Sequence, residues 1–261
     1  MKTVDACIDC TNNSTEPIIH VPPPWTLYVT VCAIPIIPTT PLPAKAYYPL
    51  ERNSTATEGN FIGLVGAILI VSYNDTPVGP YDEFAIIPSY FENVRGSRFY
   101  VSQKYTNYNG RKIPKHLAKF DWTTGVDGST SLKIYPFDTQ GSPNENGPST
   151  LPFFQLKYTP LTPAPLPIPI NLDPPLPVGN GSYGELPGTT HWAETPLGAT
   201  SNYPTPVMFD LDQGTGDDTG NDYNAAGNEV YPNFWPELPR WNIGVEMERA
   251  TVEFPVPETW S

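Results

Sequence analysis

Basic residues, cysteine, histidine and long apolar runs are all scarce in this chain of 261 residues. Lysine and arginine number 14 against 27 aspartates and glutamates, giving a net charge of −13. The deficit is regional: residues 1–133 carry 11 basic and 11 acidic side chains, whereas residues 134–261 carry 3 and 16. So acidic a surface repels phosphate backbones and anionic lipid, which argues against nucleic acid or a membrane as partner. Three cysteines, Cys7, Cys10 and Cys32, build no disulfide framework. Cys7-Ile-Asp-Cys10 lacks the second pair of a zinc site and the βαβ setting of a redox motif, so no metal site is expected. His20, His116 and His191 leave little for a Ser-His-Asp triad, and Asn180 stands where the Ser182 elbow would require glycine. No apolar run reaches the ~20 residues that span a bilayer. The N-terminus has no apolar signal core, so a cytoplasmic location is expected.

What is present points to strands. Aromatic residues make up 12 % of the chain, and there are 34 prolines and 20 glycines. β-Branched and aromatic runs bounded by Gly/Pro turns predict strands over Leu27–Ile34, Phe61–Tyr73, Phe84–Pro88, Ser97–Tyr105, Ser131–Phe137 and Leu151–Tyr158. Gly63 and Gly66 mark bends or a close approach of another backbone. Near the end, Ile243, Val245 and Met247 alternate, then Ala250, Val252 and Phe254 continue with the period slipped at Glu248-Arg249. That slip predicts a β-bulge in a long curved strand. The 8 prolines in Pro160–Pro177 read as an extended edge wrapping one domain rather than as a linker. Asp210–Glu229 reads as a mobile acidic loop, because its Asp210-Leu-Asp212 start lacks the later ligand and glycine of a calcium loop. Residues 1–20 are expected to be loosely ordered. One domain over 1–261 is expected: mainly β (α+β), a closed or cone-shaped antiparallel β-barrel with a few short helices.

The chemistry is concentrated between Tyr73 and Trp122. From Arg95 to Lys119 there are 7 of the 14 basic residues and no acidic one. A lysine inside such an island feels like-charge repulsion, which favours its neutral, nucleophilic form, and burial acts the same way. Lys115, flanked by Arg111, Lys112, His116 and Lys119, is the candidate. Pro114 suits the first turn of a short helix, which would set Lys115 and Lys119 on one face.

The elements Thr76-Pro-Val-Gly-Pro-Tyr-Asp-Glu83 and Ile113-Pro-Lys-His-Leu-Ala118 resemble those of the acetoacetate decarboxylase superfamily, in particular its fungal secondary-metabolism branch. The resemblance is strongest from Trp25 to Trp122. It implies a barrel with the lysine facing its interior, Lys115 as Schiff-base nucleophile and Glu83 as the pocket carboxylate. It also places Tyr81, His116, Arg111, Lys112 and Trp25 around the site, to bind substrate or tune the amine. No cofactor is implied. The chain departs from the family at His116, which replaces a second lysine, and at Gly66–Ile70, which holds no glutamate. No arginine precedes Arg52.

The expected partner is a small-molecule carbonyl compound, a ketone or β-keto polyketide-derived intermediate, and a homo-oligomer is compatible with the sequence. Decarboxylation or another lyase step at Lys115 is the first reading. Two alternatives stand beside it. One is a cofactor-free cyclase, dehydratase or pericyclase that positions its substrate without a covalent step. The other is a binder without catalysis.

Overall fold

In the computed structural model, the residues described are 20–39, 41–43, 66–90, 94–95, 98–109, 115–137, 148, 152–161, 170–172, 192–194, 197–201, 204–211, 239–256 and 258–260. In chain order the strands are β1 (Trp25–Ile36), β2 (Gly66–Asp75), β3 (Tyr81–Ile87), β4 (Ser89–Tyr90), β5 (Val94–Arg95) and β6 (Arg98–Val101). After the helix α1 (Tyr105–Tyr108) come β7 (His116–Thr124), β8 (Thr130–Pro136), β9 (Phe154–Pro160) and β10 (Ile170–Leu172). The last are β11 (Trp192–Glu194), β12 (Leu197–Thr200), β13 (Pro204–Asp210), β14 (Ile243–Phe254) and β15 (Glu258–Trp260).

Nine of these close on themselves in the order β1-β2-β3-β6-β7-β8-β9-β13-β14, with β14 returning to β1. All the pairings are antiparallel except β6–β7, where Tyr100 lies beside His116 and Val101 beside Leu117 in parallel. The expected barrel is therefore present, but mixed rather than wholly antiparallel. A parallel step needs a crossover, and the segment carrying α1 supplies it. α1, 4 residues long, is the one α-helix among the described residues. Sequence periodicity located seven of the nine barrel strands to within about five residues, and missed β7 and β13. It missed the helix position: Lys115 precedes strand β7, and Lys119 lies within that strand, half exposed.

Alternation sorts the apolar side chains to two faces. Ile34, Ile70, Phe84, Tyr100, Leu132, Leu156 and Phe209 fill the barrel interior. Leu27, Val29, Val71, Ala85, Val101, Leu117, Val252 and Phe254 form a second cluster on the opposite face of β1, β2, β3, β6, β7 and β14. β2 and β3 are thus buried on both sides over most of their length, which explains their near-continuous apolar runs, whereas β1 and β14 expose alternate residues such as Tyr28 and Glu248. By contrast, Lys133 of β8 and Lys157 of β9 point away from the barrel into solvent.

Strand β14 serves both layers. Its first half, Ile243–Met247, pairs with β13, while Thr251–Glu253 pairs with β12. Between the halves lies the bulge expected from the sequence. Val29 pairs with Ala250 but Val31 with Met247, and Arg249 has φ 52°. Ser201 Oγ donates to Glu248 O at 3.0 Å, anchoring the point of division.

Gly66 meets its expectation of close approach, since a Cβ there would run into the carbonyl oxygens of Ile87 and Pro88. Gly63, Cys7, Cys10, residues 1–19 and most of the 210–229 segment lie outside the described residues. Among the described residues no cluster of His, Cys, Asp or Glu could hold a metal ion, and no helix is long and apolar enough to cross a membrane.

Candidate functional site

Lys115 stands one residue before β7, and alternation places its side chain with Leu117 in the second cluster. Glu83 lies in the middle of β3, between Val71 on β2 and Val101 on β6, and faces the same way. The two side chains meet there: Lys115 Nζ donates to Glu83 Oε2 at 2.8 Å. Both residues are buried. The lysine therefore projects from the face opposite the packed barrel interior, not into that interior as the resemblance implied. Phe84 and Ile86, the neighbours of Glu83 on the other face, occupy the interior instead.

Three further groups complete the surroundings. Thr106 Oγ1 accepts a second hydrogen bond from Lys115 Nζ at 2.9 Å. Tyr73 donates its hydroxyl to Glu83 Oε1 at 3.4 Å, and its ring stacks on Tyr81 at 4.2 Å. The Tyr81 ring in turn lies 5.8 Å from Lys115 Nζ, within reach of a cation–π attraction.

The wall opposite Glu83 is the polar segment 103–109, in which Gln103, Lys104, Thr106, Asn107 and Asn109 are buried. Gln103 accepts from Tyr105 N at 2.8 Å and donates to Val78 O at 3.2 Å. Asn109 accepts from Val21 N at 2.6 Å and donates to Tyr105 O at 3.0 Å, stapling the segment that precedes β1 to this wall. Asn107 Oδ1 accepts from the backbone N–H of Lys115 at 3.1 Å. The nucleophile candidate is thus fixed at its backbone as well as at its amine.

Of the residues named from sequence, Lys115, Glu83 and Tyr81 come together. Trp25 belongs to the same cluster, reaching the site through rings: it stacks on Phe254 at 6.3 Å, and Phe254 meets Tyr73 edge-on at 6.4 Å. His116 does not join them. Its ring stacks on Tyr100 at 4.9 Å, on the barrel-interior side, because successive residues of a strand point to opposite faces. Arg111 and Lys112 lie outside the described residues. Lys115 forms an ion pair with the Glu83 carboxylate, which favours its charged form and opposes the like-charge repulsion expected from the sequence. Sequence reading missed Tyr73, Thr106 and Asn107. Tyr73 was accessible by cross-strand logic, since it pairs directly with Tyr81. Thr106 and Asn107 sit in a helical turn with no pattern of its own.

Chemically the site offers a buried amine, a carboxylate in contact with it, a hydroxyl and an aromatic face. Moving one proton over 2.8 Å from Nζ to Oε2 turns a buried ion pair into a neutral amine beside a neutral acid. Net charge does not change, so the low-dielectric surroundings do not oppose the transfer as they would an isolated charge.

Other ionisable groups lie inside the barrel and are not nucleophiles. Burial, and then the Glu246 charge, push the Cys32 thiol up to about 12, so it stays protonated. Burial also raises Glu246 and Asp82 above the usual carboxylate range.

No family model matches the chain, and no curated protein matches it. Solved structures do. An enduracididine biosynthesis enzyme, MppR, complexed with the condensation product of pyruvate and imidazole 4-carboxaldehyde, aligns over 99 % of this chain and 97 % of its own at 12 % identity, TM-score 0.51. The same enzyme complexed with pyruvate aligns over 92 % and 91 % at 13 % identity, TM-score 0.50. Acetoacetate decarboxylase from Legionella pneumophila aligns over 92 % and 88 % at 12 % identity, TM-score 0.48. Among its described residues the chain forms a mixed nine-stranded closed barrel with one four-residue helix, a fold it shares with the two MppR structures.

Proposed function

We propose that the chain is an enzyme of the acetoacetate decarboxylase-like superfamily that forms a Schiff base between Lys115 and a small ketone or β-keto intermediate. The observation carrying this reading is the buried Lys115 Nζ held at 2.8 Å from Glu83 Oε2. Glu83 takes a proton from the ammonium, and the freed amine adds to the carbonyl carbon while the C=O π pair moves to oxygen. A proton passes from nitrogen to that oxygen, with the Thr106 hydroxyl placed to relay it. Glu83 then returns its proton to the hydroxyl, which leaves as water as the nitrogen lone pair forms C=N. The iminium carries the charge the ammonium had, so Glu83 and the Tyr81 face stabilise the start and the end of the sequence alike. With the iminium as electron sink, loss of CO₂ from a β-carboxylate, dehydration and carbon–carbon bond formation all become reachable. The fold is shared with an enzyme solved in complex with pyruvate, and the sequence elements around Glu83 and Lys115 supply the link to secondary metabolism.

A second reading has its own observation: Nζ already makes two hydrogen bonds, to Glu83 and Thr106, and so can serve as a donor in place. Here Lys115 polarises a substrate carbonyl and the pocket positions the substrate for cyclisation without a covalent step. Sodium borohydride trapping with a small ketone, read by intact mass, separates the two. An adduct in the wild type that is missing from Lys115→Ala supports the Schiff base. No adduct across several ketones, with turnover still dependent on Lys115, overturns it in favour of the positioning cyclase.

A further inference from the structure

Asn107 is fully buried, and its amide is used on one side only. Oδ1 accepts from the Lys115 backbone N–H at 3.1 Å, while Nδ2 has no hydrogen-bond partner among the described residues. The Lys115 N–H is a donor, so it fixes the oxygen of the amide toward itself and turns the NH₂ group the other way. Nδ2 is therefore held within one amide width of the backbone of the nucleophile candidate. The preceding residue, Thr106, touches that nucleophile's amine. A buried donor left without an acceptor is costly, and most buried polar groups have a partner. Its neighbours in the wall show the contrast, since Gln103 and Asn109 use both ends of their amides.

We infer that Asn107 Nδ2 is a positioning donor for a second oxygen of the substrate, distinct from the carbonyl that Lys115 attacks. This inference rests on the reading of Lys115 given above. An amide NH₂ is a neutral donor, and the Lys115–Glu83 pair already balances its own charge. The match is a neutral acceptor, the ketone or enol oxygen of a 1,3-dicarbonyl compound, in preference to a carboxylate. Binding such an oxygen orients the carbon skeleton with one carbonyl at Nζ and the other at the segment 103–109.

The test compares pentane-2,4-dione with pentan-2-one, two ketones of the same length that differ in the second oxygen. Labelling of Lys115 is read by intact mass, after borohydride for the monoketone and directly for the diketone, whose adduct is a stable vinylogous amide. Asn107→Asp keeps the acceptor for the Lys115 N–H and removes the NH₂; Asn107→Ala removes both. The expected result is a shift of about tenfold in the ratio of half-labelling concentrations, against the diketone, in both variants. Equal changes for the two ketones, or none, assign Asn107 a structural role and overturn the inference while leaving the Schiff base intact. If wild type labels with neither ketone, the Schiff-base reading fails on its own. Calorimetry in a Lys115→Met background then reads the donor directly. Weaker diketone binding on adding Asn107→Ala sustains the inference, and unchanged binding overturns it.

Discussion

Tyr158 donates its hydroxyl to Glu246 Oε1 at 2.7 Å, joining β9 to β14 across 88 residues of sequence inside the barrel. Burial holds Glu246 above its ordinary 4.5, and the Tyr158 hydrogen bond only partly offsets it. A carboxyl raised in the folded state binds its proton more tightly there than in the unfolded chain. Its stabilising contribution is complete below 4.5 and is lost as pH rises through the raised value. Glu246→Gln mimics the protonated form. Melting temperature measured against pH should show the variant matching wild type in acid and exceeding it at neutral pH and above. A constant offset at all pH values would sink this account.

Glu83→Gln keeps the size of the side chain and a hydrogen-bond acceptor for Lys115 but removes the proton carrier. General acid–base assistance of this kind is worth about 10²–10⁴-fold, so borohydride-trapped labelling should slow by at least ~100-fold. The buried ammonium also loses its counter-charge, which costs about 3–5 kcal/mol of stability in a denaturant melt. Labelling at the wild-type rate would remove Glu83 from the mechanism.

Gly244 backs directly onto the Ala33 carbonyl at the β1–β14 seam, and a Cβ there would also lie 2.7 Å from the Phe209 ring. Gly244→Ala forces strand separation or a ring shift and should destabilise by about 2–3 kcal/mol, as overpacking does. Gly125→Ala is the comparison. Its Cβ would meet only side-chain atoms, those of the exposed Asp127 and the buried Ser129, so rotation of Asp127 relieves part of the overlap without moving backbone. Urea midpoints that fall equally in both variants would contradict the argument.

Arg249 holds φ 52°, a left-handed conformation that costs a residue with a Cβ about 1 kcal/mol relative to glycine. Arg249→Gly should therefore leave stability unchanged or raise it by up to ~1 kcal/mol, even though glycine usually weakens strand interiors. A clear loss in thermal unfolding would show that the arginine side chain, and not the backbone, sustains the bulge.

The strands were legible because their cause is local. Alternation and β-branched runs identify β1, β2, β8 and β9, and the slip at Glu248-Arg249 located the bulge. The barrel's closure by β1 and β14 is a long-range pairing that no local period encodes. The site was half legible: Lys115 and Glu83 lie in recognisable elements. Thr106, Asn107 and Tyr73 reach them only through pairings such as β3–β6 and the parallel β6–β7 step. His116 shows the limit of adjacency in sequence. Treating Lys115 as helical left open the face of its neighbour, whereas extended backbone sends His116 to the other side, against Tyr100.

The return of β14 to β1 also sets an order in time. Trp25 pairs with Phe254, so β1 waits for β14 before the barrel can close. During synthesis β1, β2 and β3 can form a meander early, and Lys115 joins Glu83 once β6 and β7 have added to it. Their apolar faces nevertheless stay open until β14 emerges. A nascent chain of this protein carries an unprotected β1 edge until residues 243–254 have emerged, and chaperone dependence should follow from topology more than from any one residue.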